Sequence, residues 1–188
     1  MVINISGTNG SGKSTIVRAI LRMYSPKPLY GVLGPKQPEA YQLSWKYWAK
    51  PVFVLGPYRT PTGGADQIQP FSLIPELIEK YAKRGHVLFE GVLCSGSFGC
   101  VQKAMEVYGK ESIVAVMDTS LEVCISNTQG RRDKKGITRP FDPKNLVNKY
   151  KSLFVSTKRI TSDDKMTVIP LSQKDGVEVI LKLLREAK

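Results

Sequence analysis

Gly7-Thr8-Asn9-Gly10-Ser11-Gly12-Lys13-Ser14 is the stretch that decides the fold. It satisfies G-x-x-x-x-G-K-[ST] at every fixed position, a coincidence expected in roughly one chain of this size in a hundred at average amino-acid usage. Before it stands VINIS (Val2–Ser6), an apolar run of strand type. After it, Ile16, Ile20 and Met23 recur at helical spacing. Strand, glycine-rich turn and helix in that order is the context the motif requires. The glycines let backbone N–H groups converge on phosphate oxygens without side-chain obstruction. The helix adds the positive end of its dipole. On this reading Asn9, Gly10, Ser11, Gly12, Lys13, Ser14 and Thr15 cradle the phosphates of ATP. Lys13 would reach the β- and γ-phosphates, and Ser14 would ligate Mg2+.

Outward from the cradle, strand-like runs recur at 52–55, 87–90, 113–118 and 167–171, with a further short one at 29–33. Helical patterns fall between them, at 39–49, 71–83, 97–108, 121–128, 143–157 and 176–186. The alternation predicts an α/β protein, a parallel five-stranded sheet flanked by helices on both faces, in one domain over 1–188. The chain has 188 residues, 41% hydrophobic and 23% charged, a globular composition rather than a disordered or fibrous one. Its longest purely apolar run, Ile113–Met117, is far too short for a membrane span. MVINISG is not a secretory leader. Cys94, Cys100 and Cys124 cannot all pair, and the single histidine, His86, leaves no zinc spacing. A cytoplasmic protein with reduced thiols and no membrane partner is expected. His86, opening a strand, reads as structural.

Charge is uneven. Lys+Arg number 28 against 16 Asp+Glu, a net +12. Residues 1–60 carry eight basic residues and one acid, and residues 131–159 carry ten and two. One nucleotide needs only a few cations, so a surplus of this size points to a polyanionic partner such as DNA.

Three acids are candidates for chemistry. Glu90 ends the apolar run VLFE, and in an open parallel sheet ligands bind at that end of the strands. It could hold the magnesium directly or through water. Asp118 also ends a strand, but Thr119-Ser120 after it favours helix capping. Asp66 closes the loop 56–66, in which Gly63-Gly64 permits close approach to a ligand and Tyr58 and Arg59 could contact a substrate. A lone carboxylate there suits a general base that takes a hydroxyl proton, against the simpler reading of a turn aspartate.

The segment 129–142 is basic, with Arg131, Arg132, Lys134, Lys135 and Arg139, and carries glycines at 130 and 136. It reads as a lid whose arginines close over phosphates, Arg131 first and then Arg139 and Arg132. Tyr41, Trp45 and Trp48 share one face of the helix expected at 39–49, a core stripe before it is a base-stacking surface.

The cradle, the strand-ending Glu90 and the arginine-bearing lid resemble those of P-loop nucleoside, nucleotide and polynucleotide kinases over nearly the whole chain. VLGPYRTPTGGADQI followed by GHVLFEGV is similar to a bacteriophage branch that includes the 5-hydroxymethyluracil DNA kinases. The resemblance implies transfer of the ATP γ-phosphate to a hydroxyl. It also implies that Asp66 matches the aspartate which activates that hydroxyl in polynucleotide-kinase-like members. Two features depart from the pattern: a glutamate stands where many relatives carry aspartate, and the lid lacks a continuous R-x-x-x-R. The expected acceptor is the 5-hydroxymethyl group of a pyrimidine in DNA, reached outside the base stack. The alternatives are a soluble nucleoside monophosphate kinase, a polynucleotide 5′-end kinase or a nucleotide-dependent switch.

Overall fold

The computed structural model describes residues 1–59, 63–92 and 98–187. Thr60 to Thr62 of the glycine-rich loop, Cys94, and Ser97 at the start of one expected helix lie outside the described residues.

Seven strands form one sheet: β1 (Val2–Ser6), β2 (Lys27–Leu29), β3 (Ala40–Leu43), β4 (Val52–Leu55), β5 (His86–Glu90), β6 (Ser112–Met117) and β7 (Thr167–Leu171). Their order is β2-β3-β4-β5-β1-β6-β7. The run β4-β5-β1-β6-β7 is parallel throughout. β3 pairs antiparallel with β4, and β2 with β3. The expected five-stranded parallel sheet is therefore extended to seven strands by two antiparallel ones on its β4 side, with β7 as the opposite edge, and the α/β class holds.

Helices cover both faces: α1 (Lys13–Met23), α2 (Leu73–Ala82), α3 (Phe98–Glu106), α4 (Leu121–Asp133), α5 (Lys144–Asp163) and α6 (Gly176–Glu186). The strands explain why two layers are needed. Ile3, Ile5, Val52, Val54, Leu88, Ile113 and Ala115 pack on the side of α1 and α6. The alternate residues Val2, Phe53, Leu55, Val87, Phe89 and Val114 pack on the side of α2 and α3, with Ile160 of α5. A parallel strand buried on both faces reads as a nearly continuous apolar run, which is why VFVL and VLF, and VINIS apart from Asn4 and Ser6, stand out in the sequence. Among the described residues no helix is long and apolar enough to cross a membrane.

The edge differs from the sequence reading. No helix forms over 39–49. Ala40–Leu43 is a strand held in register from Ala40↔Leu55 to Leu43↔Val52. The helical spacing of the aromatic residues arises from a turn after β3, closed by Trp48 N–H donating to the Trp45 carbonyl at 3.0 Å. Trp45 and Trp48 gather on Tyr24 at ring-centroid distances of 5.9 and 4.7 Å. They pack as core residues, as the spacing suggested, but from a turn. The second strand also ends earlier than 29–33, because Gly34 N–H closes a turn on the Gly31 carbonyl at 2.9 Å. The Glu39 carboxylate lies against Gly31 and accepts from Val32 N–H at 2.7 Å.

Candidate active site

β1 delivers the chain to the cradle at the carboxyl edge of the sheet, between β5 and β6. Gly10 and Gly12 adopt φ of 82° and 98°, the left-handed region that glycine enters without strain. A Cβ on Gly10 would also collide with the Cys124 carbonyl of α4. That close approach lets α4 brace the turn from behind. Asn127 Nδ2 donates to the Gly10 carbonyl at 2.9 Å, and Thr119 Oγ1 donates to the Ser11 carbonyl at 2.8 Å. Within the turn, Ser11 Oγ and Lys13 Nζ both donate to the Thr8 carbonyl at 2.9 Å.

The parallel register Ile5↔Glu90 sets Glu90 beside the strand end that enters the cradle. Ser14 Oγ donates to Glu90 Oε1 at 2.7 Å, so the two expected magnesium-holding groups touch. Glu90 is 2% exposed and Lys13 is 5% exposed. Burial pushes the Glu90 carboxyl above its ordinary range, opposed by the charge of Lys13 and the Ser14 bond. Burial likewise holds the Lys13 ammonium below the usual lysine range, although the charges of Glu90 and Asp66 favour it. Desolvation outweighs their mutual attraction in both groups, the condition of charges sequestered ahead of a charged ligand.

Asp66 lies in a 3-10 turn, Ala65–Gln67, that begins at Gly64. Val92 N–H donates to its Oδ2 at 2.7 Å, which ties the loop after β4 to the chain after β5. It does not cap α2. A cavity of about 660 Å3 opens here. Asn9, Gly10, Gly12, Lys13, Ser14, Thr15, Gly63, Asp66, Glu90 and Arg131 all line it, so most of the expected site residues share one volume.

Others do not line it. Ser11 turns its hydroxyl into the loop backbone. Gly64, at φ 98°, is where β4's exit passes the Glu90 carboxylate, so its missing Cβ serves packing and not a ligand. Tyr58 is 7% exposed, with the Arg18 guanidinium 5.6 Å from its ring centroid. Arg59 reaches away, donating to the Lys36 carbonyl at 2.7 Å and the Tyr30 hydroxyl at 2.8 Å. Asp118 is exposed, and Ser120 is the residue that caps α4, accepting from Val123 N–H at 3.4 Å.

Comparison with known proteins places this geometry. The chain is 35% identical over 190 residues to the 5-hmdU DNA kinase of Pseudomonas phage PaMx11, covering 99% of this chain and 97% of that one. It is 33% identical over 144 residues to the 5-hmdU DNA kinase of Pseudomonas phage M6, covering 72% and 74%. The chain belongs to this kinase family. It is a phosphotransferase with a hydroxyl acceptor, and a nucleotide is one of its substrates. No protein-family model matches the chain. A solved deoxyadenosine kinase from M. mycoides with bound dATP superposes with a TM-score of 0.48 at 15% identity, over 99% of this chain and 100% of that one.

In a kinase the cations that face the phosphates matter, and here the basic segment departs from the expected loop. α4 continues to Asp133, so Arg131 is helical and Gly130 is an interior helix residue. Asn127, Arg131 and Lys134 recur at i, i+4 and i+7 and all line the cavity. Lys134 and Asn127 were not singled out from the sequence, because their common face exists only if the helix is extended. Arg132 instead donates to the Arg139 carbonyl, with its guanidinium 5.5 Å from the Phe141 ring centroid. Arg139 does not line the cavity, so the second-ranked lid arginine is misplaced: its backbone anchors the turn after α4. Gln173, also missed, follows β7 at the same carboxyl edge as Glu90 and lines the cavity.

Proposed function

We propose that the protein transfers the γ-phosphate of ATP to the 5-hydroxymethyl group of a hydroxymethylated pyrimidine in DNA. The observation that carries the reading is one cavity lined by the Gly-rich cradle, the Ser14–Glu90 pair and Asp66 together. The acceptor oxygen attacks the γ-phosphorus while the bond to the β,γ-bridging oxygen breaks. The hydroxyl proton passes to Asp66, which the Val92 N–H orients, and ADP leaves. Lys13, Arg131 and Lys134 neutralise charge on the phosphates as the transfer proceeds.

Ser14 Oγ and Glu90 Oε1 offer two adjacent oxygens, and among the described residues no cluster of three His, Cys, Asp or Glu could hold a metal by itself. This fits Mg2+, which takes one or two protein oxygens together with substrate phosphates. Ser14 and Glu90 would hold the ion, which would offset the charge on the substrate's phosphates.

The phage relatives are named for 5-hmdU in DNA, and the net charge of +12 favours a polymeric acceptor over a monomer. The test supplies γ-labelled ATP with hydroxymethyluracil-containing DNA, ordinary DNA, and free monophosphates. Label at internal bases of the modified DNA is the expected outcome. Label only at 5′ ends, or only in monomers, would replace this reading with an end kinase or a monophosphate kinase.

A further inference from the structure

A second cavity, of about 500 Å3, opens beside the first. Ser14, Arg18 and Arg22 fall every fourth residue along α1, on one face and about 6 Å apart along its axis. Ser14 is in the first cavity, Arg22 in the second, and Arg18 stands between them. Arg18 Nη1 donates to the Tyr58 carbonyl at 3.1 Å, while its Nη2 lies 3.1 Å from where a Cβ of Gly63 would stand. Gly63 lines the first cavity together with Asp66, three residues further along the same loop. The second cavity therefore adjoins the acceptor side of the site, not the side of Asn127 and Gln173.

Its lining is cationic and aromatic. Arg18, Arg22, Met23, Tyr24, Tyr41 and Tyr58 contribute, and the Tyr41 and Tyr58 rings meet edge-on with centroids 6.2 Å apart. None of the residues that line it is acidic, although the charge of Glu90 also acts on Arg18. The single carboxylate of residues 1–60 is Glu39, which is buried and already accepts from Lys80, Tyr81 and Val32. Tyr58 is buried and Tyr24 and Tyr41 are half-buried, so the last two present the ring surface. Guanidiniums for phosphates and ring surface for bases are the two elements that hold single-stranded nucleic acid without sequence readout.

We infer that this second cavity seats the polynucleotide strand next to the acceptor nucleotide, with backbone phosphates on Arg18 and Arg22 and a neighbouring base against the tyrosine wall. The inference rests on the polymer-kinase reading above. A mononucleotide would fill the first cavity and leave the second without a function. A polymer must leave the first cavity, and the α1 arginines line its exit.

Arg22 is exposed and outside the first cavity, so Arg22→Glu and Arg22→Ala should fold normally. Binding of a labelled single-stranded oligonucleotide is measured by anisotropy across a salt series, beside turnover of hydroxymethyluracil DNA and of the 5-hydroxymethyl-dUMP mononucleotide. Arg22→Glu is expected to weaken oligonucleotide binding by roughly tenfold or more. Arg22→Ala should flatten the log–log salt dependence by about 0.7, one single-strand phosphate contact. KM for the DNA should rise, with KM for ATP and any turnover of the mononucleotide unchanged. Wild-type turnover of modified DNA with unaltered binding in both variants overturns the inference and leaves the polymer-kinase reading standing. Wild-type label confined to monomers overturns both.

Discussion

Residues 7–14 and residues 129–142 both bring glycines and cations toward the same cavity, yet their geometry has different origins. In the cradle each residue's part follows from its immediate neighbours. A strand ends, glycines at positive φ turn the backbone, and a helix begins. In the basic segment a residue's part depends on where a helix stops. Because α4 runs to Asp133, Arg131 and Lys134 face the cavity and Arg132 turns back on the Arg139 carbonyl. A local motif can be read from spacing alone, whereas a cation's role depends on a helix end that the sequence marks only weakly.

The largest expected effects test the shared cavity itself. Lys13→Ala should reduce phosphoryl transfer to background, measured by single-turnover transfer from labelled ATP. Its melting temperature should hold or rise, because burial disfavours the Lys13 ammonium when no phosphate is present. Asp66→Asn should lower turnover by about 10²–10⁴-fold, the span of a lost general base, with ATP affinity from calorimetry little changed. If Asp66→Asn keeps wild-type turnover, its carboxylate is not the base, and its bond from Val92 N–H is structural.

A smaller effect sharpens the contrast within the basic segment. Arg131→Ala should slow transfer by about 10–100-fold, below the 10²–10³-fold typical of a fixed oxyanion donor because Lys134 remains on the same face. Arg139→Ala keeps the backbone carbonyl that Arg132 uses and should change turnover less than about twofold. Equal losses in the two variants would restore the reading in which Arg139 also closes over the phosphates.

The same distinction explains what the sequence revealed. The parallel strands were legible because burial on both faces makes their runs largely apolar: VFVL has no polar residue, and VINIS holds only Asn4 and Ser6 among its apolar ones. Glu90 and Asp66 line the cavity, and each carried a sequence mark, a carboxylate at the end of an apolar strand or alone beside Gly-Gly; the same mark at Asp118 led away from the cavity. β3 was misread because Tyr41, Trp45 and Trp48 imitate helical spacing while a strand and a turn place them. Lys134, Asn127 and Gln173 were missed because each reaches the cavity only through an element boundary or a sheet edge. The cluster in which exposed Lys80 and buried Tyr81 donate to the buried Glu39 joins residues about forty positions apart and leaves no local mark.

That cluster contrasts with the cradle in a measurable way. Lys13 and Glu90 are buried charges whose partners fall short of offsetting desolvation, whereas Glu39 is fully compensated. Burial pushes its carboxyl up, but bonds from Lys80, Tyr81 and Val32 outweigh that and hold it below its ordinary range. Glu39→Gln should therefore cost about 1–3 kcal/mol, the penalty for unmatched buried donors. That is a fall of several degrees in melting temperature for a protein of this size. A cost near zero would mean the edge strands do not depend on this carboxylate.

The smallest effect separates two buried groups by pH. His86 is 1% exposed at the start of β5. Burial lowers its pKa from 6.5 to about 4, helped by the N-terminal ammonium 3.3 Å from Nδ1 and by Lys50, and opposed by Glu111. The folded ring thus stays neutral where the unfolded ring takes a proton. Stability is unaffected above about pH 6.5 and falls as the pH drops toward 4, since the unfolded state then binds more protons. Glu39 acts in the same direction but lower, because its stabilisation is lost only as the pH falls below the ordinary carboxylate value of 4.5. His86→Gln should therefore flatten the melting-temperature profile between pH 6.5 and 4.5 and leave the acid limb below it in place. Parallel profiles for the wild type and His86→Gln across that interval would show that the ring is solvated well enough to titrate normally. The start of β5, which aligns Glu90 with the cradle, would then be looser than the rest of the strand.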